Sequence, residues 1–234
     1  MKVILLDIEG TTTPIDFVHK TLFPYAKRKI GEYVAENFED IKTEIEQLKS
    51  EYKEDFSNQI YGRNFSEDAP ETISEYLKFL IETDRKVTPL KSLQGKIWQA
   101  GYESGELESA MFSDVPKAFE RWKSENITIA IYSSGSVLAQ KLIFKYSNFG
   151  DLTNYISDYF DTNTGHKRKA ESYVKIAHAL NHPPKRLAFV SDINAELDAA
   201  KNAGYETFLS IREGNAPIQN KKKHRAIHSF DEIL

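Results

Sequence analysis

Apolar and polar positions follow two different regimes along this chain. Val3, Ile4, Leu5 and Leu6 form an unbroken apolar run that stops at Asp7, with Gly10 close behind. A short apolar run bounded by a turn signal predicts a strand buried on both faces of a parallel sheet. From about residue 17 to residue 110 the pattern becomes helical and rich in charge. Tyr33, Val34, Phe38, Ile41, Ile45 and Leu48 recur at steps near three and four, predicting an amphipathic helix, and Ile73, Tyr76, Leu77, Leu80 and Ile81 repeat that spacing. Residues 62–70 read as a polar loop between helices. Beyond residue 115 the regimes alternate. Helices are predicted over 118–122, 137–146, 170–180 and 195–203, and strands over 127–132, 156–160 and 187–190, with 207–211 as the last.

Strands alternating with helices argue for an α/β fold, a doubly wound parallel sheet with helices on both faces. The all-helical part falls between the first strand and the rest. Residues 1–16 and 111–234 are therefore expected to form the core, and 17–110 an insertion. A length of 234 residues accommodates that arrangement. Lys221 to Lys223, with His224 and Arg225, form a basic cluster that reads as a solvated loop.

Composition excludes several classes. With 40% hydrophobic and 28% charged residues the chain reads as an ordinary soluble globular protein. A formal charge of −4 implies neither nucleic acid nor an anionic membrane as partner. The absence of cysteine removes disulfides, zinc thiolate sites and thiol catalysis. No apolar segment approaches membrane-spanning length, and the first strand leaves no room for a signal peptide. A monomeric cytoplasmic protein is the expectation.

Candidate chemistry gathers where strands end. Asp7 would sit at the carboxyl edge of the first strand, where open α/β sheets place their ligands. Asp7 and Gly10 alone read most simply as a turn cap. The full string DIEGTTT adds a second acid, Glu9, and a run of hydroxyls that a cap does not need. Ser133, Ser134 and Gly135 follow a strand and precede a helix, an arrangement suited to phosphate. Lys167 could neutralise phosphate oxygens, although by itself it opens a basic run expected at the surface. Asp192 and Glu196 stand at another strand–helix junction, where they could equally serve the helix start. All would share one sheet edge. A carboxylate nucleophile approaching a phosphate dianion needs charge neutralisation, which lysine and magnesium can supply together.

DIEGT at 7–11, YSSGS at 132–136, GHK at 165–167 and SDINAE at 191–196 resemble, in order, the motifs of the haloacid dehalogenase superfamily. Glu9 stands where most phosphatase members carry Asp. DIEGTTTPIDFV, LFPYA, LKSLQGKIW, IYSSGS and FDTNTGHK are similar to the enolase-phosphatase, or acireductone synthase, branch over almost the whole chain. The resemblance implies a Rossmann-like core with an inserted α-helical cap, and Mg²⁺ as cofactor. The implied activity is Mg-dependent phosphoric monoester hydrolysis with enolase activity. It converts the small phosphorylated substrate 2,3-diketo-5-methylthiopentyl 1-phosphate to an acireductone in methionine salvage.

By the same resemblance Asp7 would be the nucleophile and a metal ligand. Glu9 would act as acid and base, with its backbone carbonyl toward the metal. Ser133 and Ser134 would hold substrate oxygens, Lys167 would neutralise the phosphoryl group, and Asp192 would complete the metal site with Glu196 behind it. Lys86, Gln94, Gly95 and Trp98 resemble the substrate-facing cap, although Trp98 reads equally as packing between helices. The base for enolisation is left open between Glu9 and cap residues. Two alternatives differ in class: a capped phosphatase of another small metabolite, and a non-enzymatic phospho-acceptor domain, which the long helical insertion argues against.

Overall fold

Strand β1 (Val3–Leu6) organises its surroundings, because all four of its side chains are fully buried. The computed structural model describes residues 1–217 and 223–233. Two units make up the chain: Met1–Val18 with Leu107–Leu234, and His19–Glu106.

In the first unit β1 is followed by the single turn α1 (Ile15–Phe17), and a π-helical turn, Val18–Leu22, carries the chain into the helical unit. That unit holds α2 (Phe23–Glu36), α3 (Lys42–Ser57), α4 (Pro70–Glu82) and α5 (Thr88–Glu103). The first unit resumes with α6 (Asp114–Ser124), β2 (Thr128–Tyr132), α7 (Val137–Lys145) and β3 (Ile156–Phe160). It ends with α8 (Ala170–Ala179), β4 (Leu187–Ser191), α9 (Asn194–Asn202), β5 (Glu206–Ser210) and β6 (Arg225–Ile227). The six described strands form one sheet in the order β3-β2-β1-β4-β5-β6, with every pairing parallel. The order reverses direction between β1 and β4, which is where such sheets open a crevice beyond their strand ends.

The two-residue period of the strands sends alternate side chains to opposite layers. Val3 and Leu5 join Tyr132, Phe189, Tyr173, Ile176 and Leu197 in a core beneath α8 and α9. On another side Phe119 contacts Trp122 and Phe144, and Trp122 contacts Phe230. Each fully buried aliphatic side chain of β1 contributes about 1.5–3 kcal/mol relative to exposure.

The helical unit has its own logic. Pro24, Pro70 and Pro89 open α2, α4 and α5, where a missing N–H costs nothing. Asp84 after α4 adopts φ 52°, an αL stop that short polar side chains tolerate. Tyr52, Tyr61, Phe65, Tyr76 and Phe79 form a connected aromatic cluster.

Three sequence expectations are corrected. The periodic positions from Tyr33 to Leu48 span two helices, α2 and α3, with Phe38 and Ile41 in the turns between them. Asn37 Nδ2 bonds the Tyr33 carbonyl at 2.9 Å and ends α2, while buried Ile41 keeps the apolar spacing across the break. The strand at 206–210 is not the last, because β6 pairs beside it. Three residues at a sheet edge carry too little apolar pattern to register. The basic cluster is not simply solvated. Lys221 and Lys222 lie outside the described residues, but His224 is buried and bonds Thr207 Oγ1 at 2.8 Å and Asp198 at 3.0 Å.

Candidate active site

The residue that follows β1 is buried and fully engaged. Asp7 is 5% exposed, and its backbone N–H continues the sheet by donating to the Val190 carbonyl at 3.0 Å. Asp7 Oδ1 accepts from Ile8 N–H and from Lys167 Nζ, at 2.8 and 2.7 Å. Asp7 Oδ2 accepts from Ser191 Oγ at the longer distance of 3.2 Å. The following turn is held by its threonines: the N–H groups of Thr11, Thr12 and Thr13 all donate to the Ile8 carbonyl. Gly10 sits at φ 66°, where a side chain would collide with Asp192 and Asn215.

Lys167 is buried, in contrast to the surface place its basic neighbours predict. Nζ bridges Asp7 Oδ1 and Glu196 Oε2, each at 2.7 Å. Tyr173 hydroxyl donates to the Lys167 carbonyl at 2.7 Å, and Tyr132 hydroxyl donates to the Gly165 carbonyl at 2.8 Å. The tyrosine of YSSGS thus pins the backbone of GHK. Burial disfavours the ammonium, but the charges of Asp7 and Glu196 outweigh it and hold Lys167 protonated above its ordinary range.

At the end of β4, Ser191 Oγ lies 3.2 Å from Asp7 Oδ2 and 3.1 Å from Glu196 Oε2. One hydroxyl proton serves two acceptors there. Burial, and then the charge of Asp7, pushes Asp192 up to about 7. The same two causes push Glu196 up. Asp192 does not act as the cap its position first implies, because the N-cap of α9 is Ile193 with no side-chain cap, while Glu196 does lie in the first turn of that helix.

Ser133 is buried at the end of β2, donating its N–H to the Phe160 carbonyl and accepting Gly135 N–H at Oγ, 3.2 Å away. Ser134 follows it, and Ser136 caps α7 by accepting from Ala139 N–H. Asp7, Ser133, Ser134 and Asp192 thus stand at the carboxyl ends of three neighbouring strands, and Lys167 reaches in from the loop before α8.

Lys86 and Trp98 belong to the helical unit. They meet through Phe23: Lys86 Nζ lies 4.9 Å from its ring centroid, and Trp98 stacks on it at 6.2 Å. Lys86 also pairs with Asp84. Trp98 is 8% exposed and donates Nε1–H to the Leu22 carbonyl at 2.9 Å, so packing accounts for most of its surface. Ser191 and Asn215 escaped the sequence reading. Ser191 lies inside the SDINAE string, where a strand-end hydroxyl draws no notice beside Asp192, and Asn215 belongs to no motif.

A family model described as haloacid dehalogenase-like hydrolase matches residues 1–204. The chain belongs to that family. This hydrolase is 50% identical over 232 residues to the enolase-phosphatase E1 of Leptospira borgpetersenii serovar Hardjo-bovis, covering 99% of this chain and 98% of the relative. It is 49% identical over 232 residues to the enolase-phosphatase E1 of Synechococcus elongatus, covering 98% and 96%. Among solved structures it is similar to the UTR4 protein of Saccharomyces cerevisiae, with TM-score 0.79 and 34% identity over 98% of each chain.

Hydrolases of this kind are in general magnesium-dependent. The donor chemistry fits: buried Asp7 and half-buried Asp192 are carboxylates that repel one another, an imbalance a hard divalent cation relieves. Among the described residues no three His, Asp or Glu side chains form a ready metal cage. Magnesium commonly takes only one or two carboxylates and completes its shell with water and phosphate.

Proposed function

We propose that this hydrolase is a bifunctional enolase-phosphatase. It converts 2,3-diketo-5-methylthiopentyl 1-phosphate to an acireductone through an enol phosphate, within methionine salvage. What carries this reading is identity near one half along essentially the whole chain, helical unit included, to relatives of that name. No described helix is long and apolar enough to cross a membrane. A cytoplasmic monomer acting on a small molecule is the accompanying proposal.

Asp7 is assigned the nucleophile. A carboxylate oxygen attacks phosphorus, the bond to the enol oxygen breaks, and Glu9 donates a proton to that leaving oxygen. Glu9 then takes a proton from water as the water attacks phosphorus, releasing phosphate and restoring Asp7. Lys167, held by Asp7 and Glu196, lies against the charge that spreads over the transferring group. Ser133 and Ser134 hold phosphoryl oxygens. Asp7, Asp192 and the Glu9 backbone carbonyl would hold Mg²⁺, which when bound supplies charge neutralisation for phosphate and enolate oxygens. Lys86 and Trp98 are assigned to substrate recognition within the helical unit.

The test follows enol absorbance and phosphate release separately on the diketo phosphate with Mg²⁺. Asp7→Asn is expected to cut phosphate release by at least ~10³-fold, as loss of a nucleophile does. A mere turn cap would tolerate the change, since Asn caps well. Near-normal release by Asp7→Asn overturns the nucleophile assignment. Hydrolysis of generic esters without turnover of the diketone overturns the salvage reading.

A further inference from the structure

Asn215, in the loop after β5, carries a feature that the assigned roles leave unexplained. Its Nδ2 donates to the Gly10 carbonyl at 2.9 Å and to the Ser210 carbonyl at 3.4 Å. Two carbonyl partners settle which end of the amide is which, since only the nitrogen donates. Oδ1 therefore faces elsewhere, and it is buried with no hydrogen-bond partner among the described residues. The point where a Gly10 Cβ would stand lies 2.8 Å from this oxygen and 2.6 Å from Asp192 Oδ2. Two acceptors thus crowd one position of the nucleophile loop, and no described group donates to the Asn215 oxygen.

Support of the loop alone does not account for Asn215. Ser210 Oγ already donates to the same Gly10 carbonyl at 3.0 Å. The lysine nearest the carboxylates is committed to Asp7 and Glu196. A buried acceptor without a donor is costly, and the described protein groups supply none to Asn215 Oδ1. A water whose lone pair rests on a cation turns both protons outward and needs acceptors for them.

We infer that Asn215 is a positioning residue for the divalent cation. Its Oδ1 accepts a hydrogen bond from a water in the cation's shell, while its Nδ2 steadies the Gly10 peptide between Glu9 and the threonines. This rests on the cation site of Asp7, Glu9 and Asp192 proposed above.

The experiment is a calorimetric Mg²⁺ titration of the metal-free full chain, with the metal-free Tm of each variant measured alongside. Asn215→Ala is expected to weaken Mg²⁺ binding about tenfold or more, the usual effect of losing a partner behind a metal ligand. Asn215→Asp keeps an oxygen there and is expected to bind within about threefold of wild type or tighter. Ser210→Ala removes the parallel support of Gly10 and is also expected to stay within about threefold. Should Asn215→Ala fail to fold, Asn215→Ser, whose hydroxyl is too short to reach, is expected to show the same loss. Wild-type affinity in Asn215→Ala, an equal loss in Asn215→Asp, or an equal loss in Ser210→Ala each overturns the inference. A wild-type protein that binds no Mg²⁺ overturns the cation site itself, and this role falls with it.

Discussion

Both units set a basic side chain among carboxylates, buried at Lys167 and part-exposed at Arg85, yet the two clusters are built differently. In the helical unit Asp55 is 1% exposed and both its oxygens are taken, Oδ2 by Tyr76 hydroxyl at 2.7 Å and Oδ1 by Arg85 at 2.8 Å. Arg85 also reaches Glu51 at 3.3 Å near the surface. Burial, then Asp55, holds the Tyr76 hydroxyl protonated far above its ordinary range. That cluster is closed. At the sheet edge the buried Lys167 bridges Asp7 and Glu196, with Asp192 close enough to feel the charge of Asp7, and Asp192 and Glu196 are pushed toward the neutral form. Anion is in excess there, and Asp7 and Asp192 stand just beyond the ends of β1 and β4. A buried ion pair alone says little about function, whereas an unbalanced one in a crevice does.

Lys167→Met is the harshest way to break the comparison. The open cluster would lose its only described basic contact, and kcat with Mg²⁺ is expected to fall about 10²–10³-fold, as when a charge-stabilising donor is removed. Stability is expected to drop by less than the ~3–5 kcal/mol typical of a broken buried pair, because nearby carboxylates can take up protons instead. Steady-state kinetics and urea unfolding measure the two effects. Turnover within a few-fold of wild type would erase the distinction between the clusters.

The open cluster was more legible than the closed one. Asp7 and Asp192 stand at junctions where an apolar segment stops, so strand prediction alone puts them at one edge, and Lys167 falls in the loop before the next predicted helix. Asp55 and Arg85 are separated by thirty positions of helix and loop and lie within ordinary surface-like charge patterns. Lys167 was legible as a candidate, but its burial was not, because burial depends on Tyr132 and Tyr173 closing over distant backbone. Ser191 and Asn215 act through contacts 184 and 205 residues away in sequence, beyond any local spacing. The same limit hid β6, whose pairing with β5 is a property of the assembled sheet. The break between α2 and α3 was hidden differently, since the turn preserves the apolar period across it.

Replacing the closed cluster sharpens the contrast. Arg85→Met alone leaves Asp55 buried without its cation and is expected to cost up to about 3 kcal/mol, reduced because Arg85 is partly exposed. The triple change Tyr76→Phe, Asp55→Leu, Arg85→Met is expected to return within about 2 kcal/mol of wild type, as apolar replacement of buried ion pairs often does. Turnover per folded molecule is expected to stay within about twofold in both, since neither touches the assigned chemistry. Loss of turnover in a fully folded triple variant would place the helical cluster in the working site after all.

The smallest effect tests the assignment of Trp98. Its ring stacks on Phe23 and its Nε1–H satisfies the Leu22 carbonyl, two contacts that packing alone would favour. Trp98→Phe keeps much of the stacking and removes the hydrogen bond, which is expected to cost about 1 kcal/mol of stability. A purely structural tryptophan predicts that loss with KM for the diketo phosphate unchanged. The proposed recognition role predicts a rise in KM with kcat retained, because binding common to ground and transition states is lost. The split between the two kinetic constants, read beside the metal-free Tm, decides whether the helical unit contributes this side chain to substrate choice or only to its own core.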